Sequence, residues 1–165
     1  DVLVINAAGN SGKNVDPGYD KYFITDEKDG VEIVSNFITV GASSSSYGED
    51  QIASFSNFGK KNVDVFAPGD AIWSSVPNDR FDYYDGTSMA APNVSGVAAV
   101  LRSYFPKISA PQIKQILIKS GLPIYSQILD PEEGGLISPS KISRSGKVVN
   151  LYNALIFASN KLYKK

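Results

Sequence analysis

The chain has 165 residues, 42% hydrophobic and 20% charged, the balance of a globular domain and not of a disordered or fibrous one. A net charge of -1 with interspersed signs leaves no basic stripe to follow a phosphate backbone, so nucleic acid is not an expected partner. Cysteine is absent, which excludes disulfides and thiolate metal sites, and histidine is absent too, so any serine chemistry must borrow its base.

Val2 to Ala7 reads as a strand buried on both faces, of the kind found in parallel sheets, and it ends at Gly9. The run opens at Asp1 with no polar lead-in and no charged region ahead of a signal core, so upstream sequence is expected to be missing. A polar loop follows from Asn10 to about Gly30, with Asp16, Pro17 and Gly18 in it. Its acidic residues, Asp16, Asp20, Asp26, Glu27 and Asp29, suit either a cation site or a solvated surface, and lack the spacing of an EF-hand loop. Phe37 to Ala42 and Val63 to Phe66 are two further buried strands, the latter closed by Pro68 and Gly69, and Ile72 to Val76 is a shorter one.

A long helix is expected from about Thr87 to Tyr104, apolar nearly all round and therefore central, with Gly96 allowing a close backbone approach. Ser109, Ala110 and Pro111 give a cap and a first-turn proline to an amphipathic helix through Lys119, which stops at Gly121. Pro123 to Gly146 is rich in turn formers and reads as irregular or hairpin structure. Asn150 can cap a last helix through Leu162, before a cationic close at Lys164 and Lys165 that reads as a surface terminus. No run approaches the roughly 20 apolar residues of a membrane span, and no linker or repeat divides the chain. Alternating strands and helices indicate one α/β domain with a mostly parallel sheet, its crevice beyond the carboxyl ends of the strands.

Ser88 stands at the mouth of the long helix, just after Gly86 and Thr87, where unpaired N–H groups and the helix dipole favour a developing negative charge. On position alone an N-cap role for Thr87 or Ser88 explains the residues at least as well. The whole string Gly86, Thr87, Ser88, Met89, Ala90, Ala91, Pro92 resembles the serine-centred signature of the subtilisin-like peptidase family (subtilases). The resemblance extends through Val94 and Gly96 to Leu101, and includes Val65 to Gly69 and Ala53 to Asn57. It departs at Asn93, where many members have histidine.

The resemblance implies a subtilisin-like three-layer fold, with a mostly parallel sheet between helices, present here as its carboxyl-terminal part. It makes Ser88 the nucleophile of a serine endopeptidase and Asn10, in Ala7 to Gly12, the side-chain donor of the oxyanion hole. Alone, Asn10 reads better as a loop asparagine between two glycines, and it is the pairing with Ser88 that reverses this. By the same likeness Ala7, Ala8 and Gly9 form one wall of the substrate pocket. The family's order of aspartate, histidine, serine puts both triad partners upstream of Asp1, so the isolated segment is expected to be inactive. Residue types alone leave other readings: a serine–lysine dyad using Lys13, a degenerate scaffold that binds without catalysis, or an α/β-hydrolase elbow, which Ala90 and the absent histidine disfavour. The resemblance requires no cofactor, leaves calcium open at Asp64, and implies a polypeptide substrate, an amino-terminal half as partner, and a secreted or cell-envelope location.

Overall fold

The computed structural model describes residues 1–16, 24–28 and 31–163. In chain order the elements are β1 (Val4–Ala7), β2 (Glu27–Lys28), β3 (Val31–Glu32), β4 (Phe37–Ser43), β5 (Val65–Pro68), β6 (Ile72–Val76), β7 (Arg80–Tyr84), α1 (Thr87–Tyr104) and α2 (Ala110–Ser120). They continue with β8 (Leu122–Pro123), β9 (Ile128–Leu129), β10 (Leu136–Ile137), α3 (Pro139–Ile142), β11 (Lys147–Val148) and α4 (Leu151–Tyr163). The main sheet runs β1-β4-β5-β11-β8, parallel throughout except for the last pair. This is the mostly parallel α/β sheet that the alternation of elements predicts.

Period-two alternation sorts the central strands between two cores. Val65 and Ala67 of β5 join Ile38, Val40 and Ala42 of β4 on the face covered by α1, α2 and α4. Phe66, between them, points to the opposite face, where it meets Val15, Phe58, Ile128 and Ile142 under a layer of loops and the short α3. The helix signals hold in detail: Ser109 and Gln112 form a reciprocal capping box at α2, and Asn150 Oδ1 accepts from the Asn153 N–H at the start of α4.

Three expectations need correction. α1 is not buried all round: Ala90, Val94, Ala98 and Leu101 form its single buried stripe, while Pro92, Asn93, Ser95, Gly96 and Ala99 are exposed. No described atom lies within 4 Å of where a Gly96 side chain would stand, so the expected close approach is not made among the described residues. The physical reason is that α1 leans on the sheet by one side only, and the described residues supply no second layer outside it. The segment after β6, to which the sequence assigns no element, forms a hairpin with it, because Pro77, Asn78 and Asp79 turn the chain back and β7 pairs with β6 in full register. The polar loop after Asn10 also contains a small hairpin, β2 with β3. Asp20 and Asp29 of its acidic group lie outside the described residues.

That hairpin is fastened from below. Lys114 of α2 is completely buried, and its Nζ donates to Glu32 Oε1 at 2.7 Å and to Asp26 Oδ2 at 2.9 Å. Arg144 reaches the other oxygen of Glu32 at 2.6 Å. Asp64, just before β5, completes the cluster at longer range: its Oδ1 lies 3.8 Å from Lys114 Nζ and 3.3 Å from Arg144 Nε, with no hydrogen-bond partner among the described residues.

Candidate functional site

The carboxyl ends of β1 and β5 and the start of α1 meet at one edge of the sheet. The turn into α1 is made by Gly86 at φ 152° and ψ 156°, a region closed to residues with a side chain. Its carbonyl accepts from the N–H groups of Met89 (3.0 Å) and Ala90 (3.3 Å), which uses two of the helix's orphan donors. The Thr87 N–H is taken by Asn10. No acceptor among the described residues faces the Ser88 N–H, and the Ser88 side chain is exposed.

Asn10 follows β1 on a loop that Asn57 holds in shape. Buried Asn57 donates from Nδ2 to the Ala8 carbonyl at 2.9 Å, and its Oδ1 accepts from the Ser11 and Lys13 N–H groups, each at 3.0 Å. A Cβ on Gly9, whose φ is +96°, would stand 2.5 Å from Asn57 Nδ2, so only glycine lets the loop close on its clamp. Asn10 is oriented from the other side by Thr87. Thr87 Oγ1 accepts from the Gly9 N–H at 3.0 Å and donates to Asn10 Oδ1 at 2.8 Å, while its own N–H donates to the same oxygen at 2.9 Å. An amide oxygen that receives two donors leaves its Nδ2 turned outward.

Asn10 Nδ2 and the Ser88 nitrogen both border the position that a Gly86 side chain would take. A Cβ on Gly86 would stand 3.3 Å from Asn10 Nδ2 and 3.6 Å from the Ser88 nitrogen. The missing side chain is what keeps the space between the two donors clear. The arrangement offers two neutral N–H groups, fixed beforehand, beside an exposed hydroxyl. Beyond Ser88 a cleft of about 530 Å³ runs along β6, with Tyr84, Pro92 and Asn93 also on its walls.

The segment expected to wall a substrate pocket lies next to these donors. Ala8 is buried and its methyl packs against the lower core, while Ala7 and Gly9 are half-buried at the end of β1. Lys13 Nζ is engaged by Glu132 at 2.9 Å, and that contact, with the Asn14 N–H, holds the Glu132 carboxyl below its usual range. Among the described residues Ser88 Oγ has no hydrogen-bond partner, and the chain has no histidine to supply one.

At Asp64, where the resemblance leaves calcium open, Lys114 and Arg144 bring two positive charges to the cluster. Burial pushes the Asp64 carboxyl up to about 6, and the attraction of Lys114 and Arg144 only partly offsets it. Both cations have shorter partners elsewhere, which is why the attraction does not win. Glu32 shows the opposite balance: burial raises its pKa, but hydrogen bonds from Lys114 and Arg144 hold it below the ordinary value.

Sequence reasoning treats Thr87 as a cap and Asn57 only as part of a recurrent string, so both orienting roles were missed. A buried threonine or asparagine reveals its partners only when distant segments are brought together; Thr87 and Asn10 are 77 positions apart. Asn93 enters the sequence reading only as a departure from the family pattern with no consequence, although its amide bonds the Pro68 carbonyl at 2.9 Å.

The peptidase S8 family, described as the subtilase family, matches residues 1–144. The major intracellular serine protease of Bacillus subtilis is 35% identical over 128 residues, which are 74% of this chain and 37% of that protein. The cell wall-associated protease of the same organism is 34% identical over 134 residues, 80% of this chain and 13% of that one. A solved structure described as the structural basis of subtilase cytotoxin SubAB assembly superposes with a TM-score of 0.74 at 27% identity, covering 98% of this chain and 50% of that one. The chain thus spans half or less of the length of each of these relatives.

Proposed function

Because the chain belongs to the subtilase family of serine peptidases, we propose that it carries the nucleophile and the oxyanion donors of an endopeptidase whose base lies in another part of the polypeptide. Ser88 Oγ attacks the carbonyl carbon of a peptide bond while a histidine from upstream sequence takes its proton, held in orientation by an upstream aspartate. The carbonyl oxygen becomes negative and is received by Asn10 Nδ2 and the Ser88 N–H. Collapse of the tetrahedral intermediate expels the amine, which takes the proton back, and water then releases the acyl group from Ser88 by the same steps in reverse. Ala7, Ala8 and Gly9 flank the side chain on the amino-terminal side of the bond.

The observation that carries this reading is the placement of Asn10 Nδ2 and the Ser88 nitrogen beside the position that a Gly86 side chain would take. Its partners are a polypeptide substrate and the amino-terminal half of the catalytic domain, for which the exposed face of α1 and the cleft beside Ser88 leave room. The reaction as written uses no cofactor and no metal. A secreted or cell-envelope location is part of the proposal; one relative is named as cell wall-associated and another as intracellular.

The absence of histidine favours one second reading, a binding domain on a scaffold that has lost its base. The experiment that separates the two treats the full-length protein and its Ser88→Ala variant with an active-serine fluorophosphonate. Labelling of the first alone is the expected result. Labelling of both, or of neither, removes the peptidase reading, and the isolated chain should not be labelled at an appreciable rate.

A further inference from the structure

We propose that Asn93 is a positioning residue for Ser88: its side-chain amide ties the first turns of α1 to the end of β5 and so fixes the direction in which the serine is presented. The inference rests on the reading of Ser88 as nucleophile. Pro92, four residues after Ser88, has no N–H, so the Ser88 carbonyl loses its helical partner at the turn that must be held most firmly. Asn93, one residue further along α1, ties the same turn to a point outside the helix. Its Nδ2 donates to the Met89 carbonyl at 3.2 Å and to the Pro68 carbonyl, at the last residue of β5, at 2.9 Å. Both neighbours are acceptors only, which settles that the amide nitrogen faces them.

The next residue of the chain after Pro68 completes the bracket. The Gly69 carbonyl accepts from the Gly86 N–H at 2.7 Å, so two adjacent carbonyls at the end of β5 hold the chain on either side of Ser88, one at residue 86 and one through residue 93. Asn93 is exposed and contributes nothing to either hydrophobic core. Asparagine is a poor residue for a helix interior, because its side chain competes for backbone hydrogen bonds. Here the position exploits that competition, at the edge of the cleft that begins at Ser88.

A misplaced nucleophile loses rate and not affinity, since ground-state substrate binding does not depend on the angle of attack. The test uses the full-length protein with Asn93→Asp, which keeps the shape and removes both donors, Asn93→Ala, and Asn93→His, which returns one N–H. The Asp and Ala variants should react with a fluorophosphonate about tenfold more slowly and show a kcat lower by a similar factor, with KM within about twofold and the thermal midpoint little changed. The His variant should recover most of the rate. Labelling as fast as wild type in both Asp and Ala variants overturns the proposal, as does a loss confined to KM or a loss that tracks the thermal midpoint. If Asn93→Asp does not fold, the Ala and His variants decide by the same measures. A wild-type protein that no fluorophosphonate labels overturns the nucleophile itself, and this inference with it, and so is told apart from a failure of Asn93 alone.

Discussion

Replacing Asp64 by asparagine tests the buried ion cluster without any substrate. Lys114 and Arg144 face three carboxylates, Asp26, Glu32 and Asp64, so the fully ionised cluster carries one negative charge too many, with Lys114, Asp26 and Asp64 buried and Glu32 and Arg144 partly open to solvent. Asp64 has the longest contacts and a bare Oδ1, and its pKa is raised from 3.8 to about 6. A carboxyl whose pKa rises on folding binds its proton more tightly in the folded state. The stabilisation is therefore complete below the unfolded value and is lost as pH climbs through the folded one. The shift corresponds to about 3 kcal/mol, lost between roughly pH 4 and pH 7. Glu32 acts in the opposite sense, its contribution being present above its unfolded value and lost only in stronger acid. The chain has no histidine, so the interval from pH 5 to 7 belongs to Asp64 in this part of the protein. Urea unfolding of the full-length protein and of Asp64→Asn, at half-unit steps across that interval, should give a falling curve for the first and a flatter one for the second. Their difference should change by about 1.3 kcal/mol over the interval. Parallel curves would refute the reasoning, because they would mean that the two cations already neutralise Asp64 in the folded state.

Asn10→Ala should lower kcat by roughly 100 to 1,000-fold while KM moves little, measured on a peptide ester with the full-length enzyme; that magnitude comes from a member of this same family and not from this structure. Thr87→Val removes the hydroxyl that accepts from Gly9 and donates to Asn10, leaving a Gly9 N–H unpaired in a part-buried position. It should cost about 1–3 kcal/mol in chemical unfolding and also slow acylation, because Asn10 Oδ1 keeps only one of its two Thr87 donors. An unchanged turnover would show that one donor suffices to orient the amide.

The elements with strong local signals were legible in the sequence for physical reasons that the structure bears out. α2 starts where Ser109 and Gln112 satisfy each other's backbone neighbours, and α1 starts where Gly86 can adopt a conformation that no other residue tolerates. β7 was not legible, because its alternation of Phe81, Asp82 and Tyr83 is exposed on both faces and pairs only with β6. The solvent-facing side of α1 misled for a related reason. Alanine, glycine and valine on every side state that a surface tolerates being covered, and they do not state what covers it. Lys114 is the clearest case of information absent from the pattern. It reads as one polar residue of an amphipathic helix, and becomes a buried charge only once Asp26, 88 positions earlier, is folded beneath the sheet.

The site divides along the same line. The two groups proposed to receive the oxyanion lie among the described residues and are held by contacts there: Asn10 by Thr87, its loop by Asn57, the Ser88 N–H by the turn at Gly86. Such donors contribute because they need no reorganisation when the charge appears. The proton acceptor is a different kind of component. It must approach Ser88 Oγ, change its charge during each turnover, and release what it took, and none of the described residues is placed to do so. The proposed division of labour follows: this part of the polypeptide supplies a rigid receptacle for the oxyanion, and the upstream part supplies the mobile proton. A chain that lacked the base but kept the receptacle would therefore still bind an uncharged tetrahedral mimic weakly through Asn10 and Ser88, while failing to form a covalent bond with it.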